Sequence, residues 1–85
     1  MNEVKNTYCY SLIDHDEVVR YGITTRLNYT ENHWKRRKER GWIEYTAFIP
    51  DKKSLTSKEA KKEKSRKIRE HEEKHGKKPR YNKMY

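Results

Sequence analysis

The stretch from Thr7 to Arg26, TYCYSLIDHDEVVRYGITTR, constrains the fold more than any other part of the chain. Tyr8, Tyr10 and Leu12 alternate, so in an extended segment they share one face. Asp14-His15-Asp16-Glu17 interrupts the run with turn-forming residues, and Val18, Val19, Tyr21 and Ile23 beyond it are strand-forming types. The connection is short, so residues 5–13 and 17–24 are expected to pair as an antiparallel hairpin. So many tyrosines are unusual for a mere core, because each buried phenol needs a partner for its hydroxyl.

A helix is expected over residues 30–40, with Thr30 as N-cap, Glu31 in the first turn and Gly41 as the stop. Its one clear apolar anchor is Trp34, and the rest of its surface is largely basic. A third strand is expected over residues 42–49, WIEYTAFI, closed by Pro50; both alternating sets contain apolar groups, which suits a strand covered on both faces. A long helix follows over residues 57–75, opened by a capping box of Thr56 with Glu59 and ended by Gly76 and Pro79. Ala60, Ile68 and His71 fall on one face of it, so it is expected to dock by its first half and fray beyond Ile68. Glu63 with Lys67 and Glu70 with Lys74 have the spacing of helical ion pairs. Residues 77–85 form a tail in which Tyr81, Met84 or Tyr85 would anchor a fold-back.

The fold class is therefore α+β: a three-stranded antiparallel sheet with flanking helices, in the order β-β-α-β-α. With 85 residues a single domain over 1–85 is expected. Such a chain buries about 60–65% of its unfolded surface, so the core is small. Charged residues make up 41% of the chain, which requires a solvated face or tail. The net charge of +9 is unevenly placed, with +1 in residues 1–50 and +8 in residues 51–85. That asymmetry points to a polyanionic partner, against the plainer reading of a solvated helix. The single cysteine, Cys9, excludes an internal disulfide and a cysteine-based zinc site, and reads as a small strand residue. No apolar run approaches the ~20 residues of a membrane span and no signal-peptide core follows Met1, so a cytoplasmic protein without a membrane partner is expected.

Two short segments carry a resemblance. TYCYSL, a short hairpin and RYGIT resemble the paired motifs of the GIY-YIG nuclease family, with Cys9-Tyr10 where the family has Ile-Tyr and Arg20-Tyr21-Gly22 where it has Tyr-Ile-Gly. The order of elements and the closing Pro79-Arg80-Tyr81-Asn82 extend the resemblance over nearly the whole chain. It implies a Mg²⁺-dependent DNA endonuclease, with Mn²⁺ as a substitute ion and RNA open as a substrate. Tyr10 would activate the attacking water, with Tyr8 as the rival on the same face. Arg20 or Arg26 would favour the phenolate and take up developing charge, since a free phenol with pKa near ~10 is a poor base at neutral pH. His33 matches the family's histidine on the first helix, but the position four before it is Tyr29 where the family has arginine. Arg26 or Arg36 would have to fill that role.

The family's metal ligand is a glutamate on the last helix. Glu63 is the candidate metal and catalytic residue, with Glu59 and Glu70 as alternatives; the family spacing falls on position 64, which is Lys64. One carboxylate plus water suits Mg²⁺, which dehydrates reluctantly. Lys35, Arg36, Arg37 and Asn82 are the candidate nucleic-acid-binding residues, and Asn82 matches the asparagine that helps orient the family's site. Each has a plainer alternative: Tyr10 as a core aromatic, Arg36 and Arg37 as a solvated face, Glu63 as a surface ion-pair partner, Asn82 as a turn residue. The departures at Tyr29 and Lys64 leave a second function open, a basic module that binds DNA or RNA without cutting it. A third is an adaptor for an acidic protein. A chain this small is expected to cut with low sequence preference, to form a homodimer, or to borrow targeting from a partner.

Overall fold

The computed structural model describes residues 4–85. The elements run β1 (Tyr8–Asp14), β2 (Glu17–Thr24), α1 (Leu27–Glu39), β3 (Ala47–Pro50) and α2 (Ser57–His75). The sheet is three-stranded and antiparallel, with β1 in the centre in the order β2-β1-β3.

The hairpin turns at His15, which takes a left-handed φ of 58°. Its N–H donates to the Thr46 hydroxyl at 2.8 Å, which ties the turn to the segment before β3. Leu12 pairs with Arg20 while Ile13 pairs with Val18, so Val19 is the extra residue of a β-bulge. Val19 is fully buried. Its carbonyl, which the bulge leaves available, accepts the Tyr81 N–H at 2.8 Å.

Residues that pair directly across strands share a face. One face therefore carries Tyr10, Leu12, Arg20, Gly22 and Phe48, and the other carries Cys9, Ser11, Tyr21 and Ile49. α1 covers the first face through Trp34, whose Nε1 donates to the Tyr10 hydroxyl at 2.9 Å. α2 covers the second: the Cys9 thiol donates to the Ala60 carbonyl at 3.7 Å, and His71 meets Tyr21 edge-on at 6.4 Å. The core on the α1 side is Tyr10, Leu12, Val19, Ile43 and Tyr45, with Trp34, Phe48 and Tyr81 packed against it.

α1 begins at Leu27, a turn earlier than expected, and Thr30 is not its N-cap. The N-cap is Arg26, with no side-chain cap bond; Thr24 braces the entry to the helix, its hydroxyl accepting the Arg26 N–H at 2.9 Å and pairing with the Thr30 hydroxyl at 2.7 Å. α1 has no buried residue.

β3 is shorter than the expected strand, because the backbone before it is committed elsewhere. The Trp42 N–H donates to the Arg37 carbonyl, the Glu44 N–H to the Tyr81 hydroxyl and the Thr46 N–H to the Ile13 carbonyl. Ile43 and Tyr45 are buried without being strand residues. The strand is not covered on both faces either, since Ile49 is exposed at the sheet edge.

α2 has the expected capping box, with Glu59 N–H to Thr56 Oγ1 at 3.1 Å and Thr56 N–H to Glu59 Oε1 at 3.0 Å. Gly76 ends it in the left-handed region at φ 76°, where a Cβ is disfavoured. It stays docked past Ile68, because the tail returns to meet it: His71 Nδ1–H donates to the Lys77 carbonyl, and Lys78 pairs with Glu72 at 3.2 Å. The helical ion pairs also differ from expectation, since Arg66 takes both Glu63 and Glu70 while Lys67 reaches Asp51 at 2.8 Å.

Candidate nucleic-acid interface

Gly22 lies directly beneath the Tyr10 ring, and a Cβ at that position would overlap it. The ring is stacked on Phe48 at 5.1 Å between centroids, and Tyr10 is 4% exposed. Its hydroxyl is held by Trp34, so it is a core phenol with a satisfied oxygen rather than one open to attacking water. Tyr8 shares that face and is half-buried.

Arg20 joins the same cluster. Its guanidinium lies 4.9 Å from the centre of the Trp34 indole, and Nη1 donates to the Tyr81 carbonyl at 2.8 Å. The stack supplies an attraction between cation and ring face. Arg37 reaches the same indole at 5.7 Å and continues to Trp42 at 5.5 Å. Its Nε–H donates to His33 Nε2 at 2.8 Å, which requires an unprotonated Nε2. Burial lowers the His33 pKa, and the positive charges of Arg37, Arg36 and Arg20 lower it further. His33 is thus a neutral acceptor among arginines.

The end of α1 shapes the surface beyond. Gly41, at φ 75°, sends its N–H to the Lys38 carbonyl, and Trp42 sends its N–H to the Arg37 carbonyl. These two bonds form a Schellman motif that fixes Trp42 against the last turn. His33, Arg36, Arg37, Arg40 and Trp42 line a cleft of about 190 Å³ with no acidic residue in its wall. The volume suits a group the size of phosphate.

Of the residues expected from sequence, Tyr10, Arg20, His33, Arg36 and Arg37 lie on the α1 side of the sheet. Arg26 is apart from them: it stacks on Tyr29 at 4.8 Å at the start of α1, two turns before His33. Lys35 lies on another stripe of α1, beside Tyr29, Asn32 and Glu39. Asn82 is buried and structural, its amide bonding both the N–H (2.8 Å) and the carbonyl (3.0 Å) of Tyr21. It completes the outer edge of β2 rather than facing a ligand.

Glu63 is not brought to Tyr10. It is on α2, across the sheet, and its carboxylate is bonded to Arg66, which holds its pKa below the usual range. Glu59 is occupied by the capping box and Glu70 by Arg66. Among the described residues no three His, Cys, Asp or Glu side chains are grouped to hold a metal ion. The three carboxylates expected to hold Mg²⁺ all lie on α2, on the other face of the sheet from Tyr10. His71 and His75 have the one-turn spacing of a helical zinc pair. However, His71 is buried, Glu72 between them is taken by Lys78 and Tyr85, and among the described residues no third His, Cys, Asp or Glu side chain is grouped with the pair.

Trp42, expected as the start of the third strand, is the site residue the sequence reasoning missed, while Trp34 was read only as the anchor of the helix. The signal was present in Arg40-Gly41-Trp42, where a glycine stop places an aromatic against a basic last turn. No family model, curated protein or solved structure matches the chain. No helix in the described residues is long and apolar enough to cross a membrane.

Proposed function

We propose that this protein is a GIY-YIG-like domain that binds nucleic acid through α1 without cutting it. The observation that carries this reading is the cleft at the end of α1, where Arg36, Arg37 and Arg40 meet Trp42 with no acidic residue in the wall. Among the described residues no ion pair involves a cation of α1, and none involves Lys61, Lys62 or Arg69 of α2. The groove that holds those three, however, contains Glu70 and Glu73 and no aromatic ring. Unpaired arginines interleaved with indoles suit a phosphate backbone, since each phosphate contact releases condensed counterions and makes binding salt-dependent. The GIY-YIG likeness rests on the β-β-α-β-α order and on Tyr10 seated over Gly22.

Fluorescence anisotropy with a labelled oligonucleotide at several salt concentrations tests the reading. Affinity should fall steeply with salt. Replacing Arg36 and Arg40 by alanine should flatten the slope by about 2, roughly one per lost phosphate contact. Replacing Lys61 and Lys62 on α2, which removes the same charge, should leave the slope nearly intact. Salt-insensitive binding, or equal effects of the two double variants, would refute the assignment.

A metal-dependent endonuclease is the competing reading, favoured by the gathering of Tyr10, Arg20 and His33 on one side of the sheet. Against it, Glu63, the expected metal ligand, lies across the sheet with its carboxylate on Arg66. Plasmid DNA incubated with Mg²⁺ or Mn²⁺ should stay supercoiled. Nicking that disappears in Tyr10→Phe and Glu63→Ala would establish the enzyme instead.

A further inference from the structure

Trp42 is a large indole left 57% exposed in a chain short of apolar residues. Exposed aromatic area of this kind is informative, because burial would otherwise stabilise the fold. Nor is the residue loosely held. Its backbone N–H is bonded to the Arg37 carbonyl, Gly41 sets the turn before it, and Arg37 packs on its ring. Arg37 is itself restrained by His33 and Trp34. Arg40 lies 5.1 Å from the indole centre, is exposed, and makes no side-chain hydrogen bond or ion pair among the described residues. It is therefore free to swing from the ring toward an anion.

From this arrangement we infer that Trp42 is a stacking platform for an unpaired nucleobase, and that the ligand of the α1 surface is single-stranded nucleic acid. The inference rests on the nucleic-acid reading above and narrows it. A base in a duplex has both faces stacked on its neighbours and none to offer. An unpaired base stacks on an aromatic side chain whatever its identity, while basic residues track the backbone. The cleft beside Trp42 supplies those residues in Arg36 and Arg40. Because the indole is already fixed by the end of α1, little freedom is lost when a base settles on it.

The test compares a labelled twelve-nucleotide oligothymidine with a duplex of equal length at one salt concentration. Removing Trp42 changes no charge, so a purely electrostatic surface would not register it. Trp42→Ala should weaken single-strand binding on the order of tenfold or more, weaken duplex binding far less, and be largely rescued by Trp42→Tyr. Circular dichroism of Trp42→Ala should match the native protein, since the side chain is exposed. Equal loss on both ligands, or no loss on either, overturns this inference and leaves the binding function standing. Failure of the native protein to bind either ligand overturns both.

Discussion

The Trp34 indole N–H donates to the Tyr10 hydroxyl at 2.9 Å, and this bond joins a helix without buried residues to the central strand. Tyr10→Phe would leave the indole donor unpaired in a partly buried site, at a cost of about 1–3 kcal/mol. Trp34→Phe removes the same bond from the other side. Urea denaturation of the two single variants and the double variant should show a double loss smaller than the sum. Additive losses would mean that the bond contributes nothing.

Gly22 and the Tyr10 ring form a second close relationship. Gly22→Ala places a methyl group into a ring already stacked on Phe48. Overpacking of this kind costs about 1–3 kcal/mol. Combining it with Tyr10→Leu should recover part of the loss, which a thermal melt would detect. Gly22 is not in the left-handed region, so a loss that persists without the ring would point to the backbone instead.

His33 gives a pH dependence of definite sign. Its folded pKa lies below its ordinary value, first because of burial and then because of Arg37, Arg36 and Arg20. The unfolded state therefore binds the proton more readily, and stability rises with pH. The contribution is complete above the unfolded value near ~6.5 and is lost as pH falls from there through the lowered folded value. Glu59, Glu63 and Glu72, also lowered, act at more acidic pH, below the ordinary carboxylate value of 4.5. Urea midpoints between pH 7.5 and 5 should decline in the native protein and decline less in His33→Gln. Equal declines would remove His33 from this role.

Asn82 pairs with both backbone polar groups of Tyr21 on the outer edge of β2. Asn82→Asp keeps an acceptor for the Tyr21 N–H but loses the donor to its carbonyl, whereas Asn82→Ala loses both. Hydrogen exchange at the Tyr21 amide should quicken strongly in Asn82→Ala and little in Asn82→Asp. Stability should fall by about 1–3 kcal/mol in the alanine variant. Unchanged exchange in the alanine variant would show that the edge is protected by other contacts.

Local chemistry made much of the fold legible. The alternation of Tyr8, Tyr10 and Leu12, the turn at His15, and the capping box of Thr56 with Glu59 each depend on near neighbours in the chain. The start of α1 was misplaced because the helix opens at Arg26 without a side-chain cap, and the Thr30 hydroxyl, inside the helix, is tied to Thr24 instead. The third strand was overextended because its N–H groups bind Arg37, Tyr81 and Ile13, and the last two are remote in sequence.

The site divides in the same way. Sequence alone determined that the chain is basic, that tyrosines and arginines share the hairpin, and that Trp34 anchors a basic helix. Only the tertiary structure decided which side of the sheet each helix covers. That choice puts Arg20, His33 and Arg37 around Trp34 and leaves Glu63 across the sheet with Arg66. The physical reason is that a strand's alternation sorts residues into two faces but does not say which helix meets which face. That depends on packing between segments far apart in the chain, here Trp34 on Tyr10 and Ala60 beneath Cys9.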